Sequence, residues 1–225
     1  MNQLLYNPVF NALSTTDSHF NIGNEQVKFF DEEVSPFAGF ADDNANGFAQ
    51  LHDLLPQGRK ILYAIPTPIN EPKGWQIQHD IKGLQFVYEG PEIKGEFPNI
   101  IPLTETYVEE MIALTRLTKP GPFAGRTIEF SQYHGIFDNG KLVAMTGQRL
   151  HINHYTELSA VCTHPDHLGK GYASALLQHQ LQIILQHHEQ PFLHVRDDNE
   201  RAIAVYKRLG FIVSRSMNFY FMKRI

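Results

Sequence analysis

The sequence predicts a mixed α/β protein (α+β in its layout) in which helices flank a mixed central sheet. Three observations carry this prediction. Asn139-Gly140 lies between two apolar stretches, which is typical of a β-hairpin because both turn positions need a positive φ angle. The range 155–163, rich in Thr, Leu and Val, predicts a further strand. A helical pattern follows at once from about Gly171 to His188.

Composition excludes several classes of protein. With a net charge of −5, the chain has no basic patch of the kind that nucleic-acid binding needs. It contains no apolar run of the ~18–20 residues that a membrane helix requires, and its N-terminus does not resemble a signal peptide. A single cysteine, Cys162, excludes an intramolecular disulfide framework. We therefore expect a cytoplasmic protein without nucleic-acid or membrane partners.

The first hundred residues differ in composition from the rest. They are rich in aromatic residues, Pro and Asn, and the stretch PEIKGEFPN at 91–99 is the best candidate for a boundary. The predicted division is an N-terminal α/β half, 1–99, and a second domain, 100–225. The elements predicted in the first half are strands at Val27–Phe30, Lys60–Ile65 and Leu84–Tyr88, and a helix at Gly47–Leu55 that Pro56 and Gly58 end.

The second half shows a sharper pattern. Asp198 or Asn199 can cap a helix that ends at Gly210. The other predicted elements are a helix at about 104–117, the hairpin at 134–147, a strand at Phe192–Arg196 and two final strands at Phe211–Ser214 and Phe219–Met222.

The stretch LGKGYA at 168–173 lies where a strand passes into a helix. Glycines let backbone N–H groups converge, and a helix N-terminus carries roughly half a positive charge. Together they suit a phosphate or pyrophosphate. The stretch is neither a Walker loop, because Lys170 is followed by Gly171-Tyr172, nor a Rossmann fingerprint, because Ser174 stands at the third glycine position. A plain strand-to-helix turn remains the alternative.

At this point the sequence resembles the GCN5-related N-acetyltransferase (GNAT) superfamily, and within it the FR47-like branch. The segments that carry the resemblance are ELSAVCTHPDHLGKGYASALL, 157–177, and NERAIAVYKRLGF, 199–211. The cofactor-loop pattern [Q/R]-x-x-G-x-[G/A] falls on 168–173, with Leu168 in place of Gln or Arg. The second pattern, N-x-x-A-x-x-x-Y-x-x-x-G-F, matches throughout. The resemblance covers about residues 100–225 and implies the GNAT fold for them.

The resemblance implies acetyl-CoA as co-substrate, with its pyrophosphate on the loop amides and its pantetheine arm along the preceding strand. Asn199 would contact the pantetheine or acetyl region, although it can equally be a helix cap. The implied cofactor-binding residues are Val161, Cys162, Thr163, Leu168, Gly169, Lys170, Gly171, Tyr172, Ala173, Ser174 and Asn199.

Two residues are the predicted catalytic pair. By resemblance, Tyr206 protonates the departing thiolate, although its helical spacing with Ala202 and Leu209 also fits a core aromatic residue. Glu157 stands eleven positions before Leu168, which matches the offset of the catalytic glutamate in histone-acetylating relatives, so it is the predicted base. The alternative is a carboxylate at a strand end that faces solvent or a cross-strand partner. Weaker candidates for the base are Glu129, His151, His154 and His164.

No pattern of metal ligands is recognised: His151-x-x-His154 and His187-His188 have no partner cysteines. The predicted function is transfer of an acetyl group from acetyl-CoA to a primary amine of a small molecule or peptide. Two alternatives remain: a non-catalytic module that binds or senses acyl-CoA, and, more remotely, a binder of nucleotide phosphates. The acceptor, the acyl-chain preference and the oligomeric state, including a homodimer, stay open.

Overall fold

The computed structural model describes residues 3–225, which form one large and one small sheet with helices on the faces of the large one. The strands are β1 (Val27–Phe29), β2 (Ala38–Phe40), β3 (Lys60–Ile65), β4 (Trp75–Tyr88), β5 (Ile101–Pro102), β6 (His134–Asp138), β7 (Lys141–Ile152), β8 (Tyr155–Thr163), β9 (Gln190–Arg196) and β10 (Phe211–Arg224). Strands β1 and β2 form the small sheet, and the large sheet has the order β3-β10-β4-β9-β8-β7-β6-β5.

The helices lie on both faces of the large sheet. They are α1 (Pro8–Ser14), α2 (Gly47–Leu54), α3 (Val108–Thr118), α4 (Tyr172–Gln186) and α5 (Glu200–Leu209). Helices α1 and α3 share a hydrophobic cluster with Phe192, whereas α4 and α5 share one with Leu193. Because successive residues of a strand face opposite sides, these two clusters lie on opposite faces of the sheet. The predicted fold class, a mixed sheet flanked by helices, is confirmed.

Turn and helix-cap residues adopt the conformations that the sequence predicts. The turn residues Asn139 and Gly140 have φ angles of 49° and 75° and join β6 to β7. Asn199 caps α5 by accepting a hydrogen bond of 3.2 Å from the backbone N–H of Ala202. Gly210 ends the same helix at a φ of 105°, a backbone conformation that costs glycine no strain.

The N-terminal residues supply strands to the same large sheet as the C-terminal ones. Strand β4 lies between β9 and β10, and β3 lies on the far side of β10. The pairing of β10 with β4 runs from Phe211↔Tyr88 to Arg224↔Trp75. The loop 91–99, where we placed a domain boundary, carries no helix or strand, but the strands on its two sides complete a single sheet.

Three of the predicted strands are too short. The structure extends the strand predicted at 84–88 back to Trp75, and it joins the two predicted C-terminal strands into the continuous β10. A register shift between Val213 and Arg215 bends β10 without ending it. A bulge of this kind disturbs the alternation of buried and exposed residues from which a strand is recognised, so one bent strand reads as two.

None of the helices within residues 3–225 is both long enough and apolar enough to span a membrane.

Candidate functional site

An opening between β8 and β9 forms the centre of the candidate site. The two strands run parallel, and their last paired residues are Leu158 and Leu193. Beyond this pair, β8 continues to Thr163 in contact with β7, while β9 continues to Arg196 in contact with β4. The facing edges of β8 and β9 therefore separate, which leaves main-chain groups of β8 available to an extended ligand.

A β-bulge accounts for the separation. Ser159 pairs with Gly147 and Cys162 with Met145, so Ala160 and Val161 lie opposite the single residue Thr146. Ala160 has a φ of 53°, which is unusual for a residue with a side chain. A bulge bends its strand and increases the local twist, and here it turns β8 away from β9 directly after their last pair.

The loop predicted to bind phosphate lies at the far end of β8, where α4 begins. Gly169 and Gly171 have φ angles of 81° and 82°, and a Cβ added at either would have nothing within 4 Å. Because the first N–H groups of a helix have no partner within the helix, those of Tyr172 to Ser174 are available to a ligand. The first turn of α4 contains no acidic residue that would oppose an anion.

The cationic side chain of the loop, Lys170, lies near a carboxylate. The Nζ atom of Lys170 lies 3.8 Å from Oδ2 of Asp138 and 5.9 Å from the centre of the Tyr172 ring. The same Asp138 oxygen accepts a contact of 3.0 Å from Nε2 of His167. Leu168, which stands where the family pattern has Gln or Arg, is 46% exposed. The loop geometry fits a pyrophosphate, and the amides rather than the side chain at 168 supply the fit.

The predicted pantetheine-binding residues lie on the separated part of β8. Cys162 and Thr163 pair with β7 through one edge. The Cys162 side chain is only 6% exposed, and burial raises the pKa of its thiol to about 11. A thiol with this pKa stays protonated at neutral pH, so a role as acyl-carrying nucleophile is not supported.

Tyr206 lies on the buried face of α5. Its ring packs against Phe86 at 6.2 Å and Phe211 at 5.9 Å, in the cluster that also holds Leu158 and Leu193, the last paired residues before the opening. Burial raises the pKa of Tyr206 above its usual range, so the hydroxyl keeps its proton at neutral pH. The residue is therefore a core aromatic side chain in the structure, and its role as proton donor stays a prediction.

Asn199 is an exposed helix cap in this structure. Its Oδ1 atom accepts the hydrogen bond from Ala202 of α5. Contact of Asn199 with a pantetheine or acetyl group stays a prediction.

Glu157 is fully buried and does not face solvent; its carboxylate meets a cross-strand partner, Arg149, as the second form of the alternative has it. Arg149 donates two hydrogen bonds to its carboxylate, at 2.9 and 3.0 Å, and His194 Nδ1 lies 2.8 Å from Oε1. Burial by itself raises the pKa of Glu157, but Arg149 and then His194 lower it to about 2. A carboxylate with so low a pKa accepts a proton poorly at neutral pH, which is a physical obstacle to its predicted role as the direct base.

The bonds of Glu157 belong to a polar row that crosses four adjacent strands. Arg149 on β7 is the register partner of Glu157 on β8, and Gln85 on β4 is the register partner of His194 on β9. Nε2 of Gln85 lies 3.0 Å from Nε2 of His194 and donates to the carbonyl oxygen of Leu5 at 2.8 Å. We call Arg149, Glu157, His194 and Gln85 the polar row. Apart from Glu157, sequence reasoning missed all of it, because the members meet only through strand register.

The weaker candidates for the base lie outside the polar row. Glu129 is bound by Arg126 at 2.6 Å at the surface, and His154 is exposed. His151 pairs with the buried carboxylate of Asp17 at 2.9 Å. Burial lowers the pKa of His151 and Asp17 raises it, with a net upward shift. Within residues 3–225, no three His, Cys, Asp or Glu side chains converge as a metal site.

Comparisons with known proteins identify the family of the chain. A family model described as FR47-like protein matches residues 133–220. A solved structure described as an acetyltransferase from the GNAT family, from Novosphingobium aromaticivorans, is 31% identical, covers 100% of both chains and superposes with a TM-score of 0.93.

More distant structures share the fold alone. A GCN5-related N-acetyltransferase from Kribbella flavida is 13% identical, with coverage of 98% of this chain and 96% of that one and a TM-score of 0.64. A Drosophila protein is 14% identical, with coverage of 99% of this chain and 89% of that one and a TM-score of 0.63. The search among curated proteins found no match. On the full-length relative, the FR47-like match and the fold, the chain belongs to the GNAT superfamily, in its FR47-like branch.

Proposed function

We propose that the protein is an N-acetyltransferase that moves an acetyl group from acetyl-CoA to a primary amine of a small molecule or peptide, by direct attack in a ternary complex. One observation carries the proposal. The opening between β8 and β9 has the two-glycine loop beyond the separated end of β8 and, at its closed end, the Leu158–Leu193 pair whose cluster holds Tyr206. A phosphate-binding end and a proton donor are the two parts that release of a thiolate requires.

In this proposal the chain binds the co-substrate through main-chain groups. The N–H groups of 169–174 hold the pyrophosphate, and the separated edge of β8 at 161–163 bonds to the amide-bearing arm. Acetyl-CoA, when bound, supplies an acetyl group activated as a thioester. Lys170 adds a cation beside the phosphate site, although Asp138 partly neutralises it.

Tyr206 is the proposed general acid. Its raised pKa keeps the hydroxyl protonated at neutral pH, so the hydroxyl can donate to a departing thiolate whose sulfur lies within hydrogen-bond distance. Direct attack, rather than a covalent acyl-enzyme on Cys162, is favoured by the burial of that thiol. The amine must be neutral to attack, so the proton it loses needs an acceptor.

Residues from the N-terminal half support a role on the acceptor side. Gln85 belongs to the polar row, and the Leu5 carbonyl oxygen accepts a hydrogen bond from it. Arg149 lies over the ring of Phe37 at 4.9 Å. We propose that the first hundred residues cover the acceptor side and shape which amine can enter. A cytoplasmic location and a homodimer remain predictions.

The test is release of free coenzyme A from acetyl-CoA, followed with a thiol reagent, on incubation with spermidine, tyramine, an amino-acid amide and a short peptide with a free N-terminus. We expect release that depends on at least one of these amines and saturates with it. Binding of acetyl-CoA by calorimetry without transfer to any amine would instead favour the non-catalytic acyl-CoA-binding module.

A further inference from the structure

The polar row is placed where an acetyl-transfer reaction would need a proton acceptor. Glu157 lies one residue before the last β8–β9 pair, and His194 lies one residue after it. The two side chains therefore bridge β8 and β9 at the closed end of the opening, where the strands stop sharing main-chain hydrogen bonds. A polar bridge at this point is buried, since the His194 side chain is 4% exposed and that of Glu157 is 0% exposed.

Hydrogen-bond chemistry fixes the tautomer of His194. Glu157 is ionised and can only accept, so Nδ1 of His194 carries the proton in their 2.8 Å contact. Gln85 donates through Nε2, so Nε2 of His194 is the acceptor in their 3.0 Å contact. In this arrangement His194 is a neutral imidazole whose basic lone pair, on Nε2, accepts from Gln85, and this is the form that can take up a proton.

Gln85 can also bind the protonated form of His194. Its Oε1 atom is buried and has no hydrogen-bond partner among the described residues. If the amide rotates by half a turn, Oε1 can accept from a protonated Nε2 of His194, and the bond from Gln85 to Leu5 is given up. An unpartnered buried acceptor beside a titratable ring is costly when the ring is neutral and useful when it is protonated.

We propose that the Glu157–His194 pair, rather than Glu157 alone, receives the proton that the acceptor amine loses. This rests on the proposed function. As the amine nitrogen bonds to the acetyl carbon and the carbon–sulfur bond breaks, the amine proton passes through a water to Nε2 of His194, and the thiolate takes the proton of Tyr206. Solvent then removes the proton from His194 and returns one to Tyr206. Arg149 and Gln85 are positioning residues.

The charged groups that face His194 come from three strands. Glu157 on β8 places a negative charge in direct contact with the ring. Arg149 on β7, across Glu157, and Arg215 on β10, the register partner of Gln85, place positive charges farther away. The remaining neighbours carry no charge at neutral pH; they are Tyr133, which lies by Arg149 and Glu157, and Phe219, Phe192, Gln85 and the Leu5 carbonyl group.

The experiment is a pH profile of kcat/KM for the best amine of the panel. In the unchanged protein we expect kcat/KM to rise with pH through one ionisation in the range where histidine titrates, ~5–8. His194→Gln should remove this limb and lower kcat/KM on the order of 100-fold, with the Kd for coenzyme A unchanged. Glu157→Gln should shift the limb to lower pH. His187→Gln, at an exposed histidine just after α4, is the matched control and should leave the profile intact.

A second measurement needs no turnover and protects the test against variants that fold poorly. Imidazole ¹⁵N spectra of the unchanged protein, with His194 assigned by its variant, should show protonation on Nδ1 and a single titration of Nε2. A His194 ring that keeps one protonation state from pH 5 to 9 overturns the proposal, as does a limb that survives in His194→Gln. Loss of transfer to every amine while His194 still titrates would instead contradict the proposed function and, with it, this role.

Discussion

Thr146 on β7 donates a hydrogen bond of 3.0 Å from its hydroxyl to the carbonyl oxygen of Ser159 on β8, directly before the bulge at Ala160. The bond holds the bulged segment against β7, so the distortion falls on the side of β8 that faces β9. A side chain thus helps to fix the point at which the sheet opens.

We expect the stability cost of a substitution at Ala160 to depend on how well the new residue adopts a positive φ angle. Glycine adopts this angle freely, whereas a β-branched residue does not. Ala160→Val should lower the free energy of unfolding by ~1–2 kcal/mol, while Ala160→Gly should leave it nearly unchanged, as urea denaturation would measure. Equal losses for the two variants would show that the angle is relaxed in solution. Ala144→Val on β7 is not a suitable control, because Ala144 is fully buried and a larger side chain there causes overpacking.

Gly171→Glu should weaken the binding of coenzyme A by at least about tenfold, because a carboxylate at the start of α4 repels the pyrophosphate. Gly58→Glu is the matched control: Gly58 has the same φ of 82°, and the nearest atom to an added Cβ, on Lys223, is 3.9 Å away. Both variants should lose similar stability in thermal unfolding. Calorimetric binding that is unaffected by Gly171→Glu would place the pyrophosphate elsewhere.

Tyr206→Phe removes the proposed proton donor and keeps the ring that packs on Phe86 and Phe211. We expect kcat to fall on the order of 10²-fold with an unchanged Kd for coenzyme A. Tyr88→Phe is the control, since Tyr88 lies in the same cluster and its hydroxyl bonds to the Pro91 carbonyl oxygen at 2.6 Å. Unchanged kcat in Tyr206→Phe would leave Tyr206 a core residue only.

We expect the folded protein to lose stability in mild acid because of His179 on α4. Burial and the adjacent His134 lower the pKa of His179 from 6.5 to about 4. The unfolded chain therefore binds a proton at a higher pH than the folded protein, and stability falls as the pH drops from 6.5 towards 4. From pH 7.5 to 5.0 the contribution is roughly 1–2 kcal/mol.

The measurement is urea denaturation at these two pH values. His179→Gln should reduce the difference in stability between pH 7.5 and pH 5.0, and the same change at the exposed His187 should not. An equal pH dependence in unchanged protein and in His179→Gln would contradict the assignment. His134 also has a pKa lowered by burial, so part of the difference should remain in the variant.

Features encoded by neighbouring residues were predictable from the sequence. The Asn139-Gly140 turn, the two-glycine loop before α4 and the cap at Asn199 depend on conformations that single residues adopt, and all three lie where predicted. The family signatures predicted roles for the loop and for Tyr206, whose spacing alone fits a core residue as well as a catalytic one.

Features that depend on register were not predictable. Glu157 could be selected by its offset from the loop, but its partners Arg149 and His194 lie on two other strands. Gln85 lies on β4, in a part of the chain that carries no recognised signature. The placement of β4 between β9 and β10 also has no local signal, because the pattern within a strand does not say which strand it pairs with.

The position of β4 between β9 and β10 affects how the chain folds. Strand β10 lies between β3 and β4, which are synthesised well before it, so these two strands have no common partner until residues 211–224 are available. Such distant pairing slows folding, because the entropy of closing a long loop is lost before the contacts form. We expect a fragment of residues 100–225 to aggregate, since β9 and β10 would each expose the edge that β4 covers.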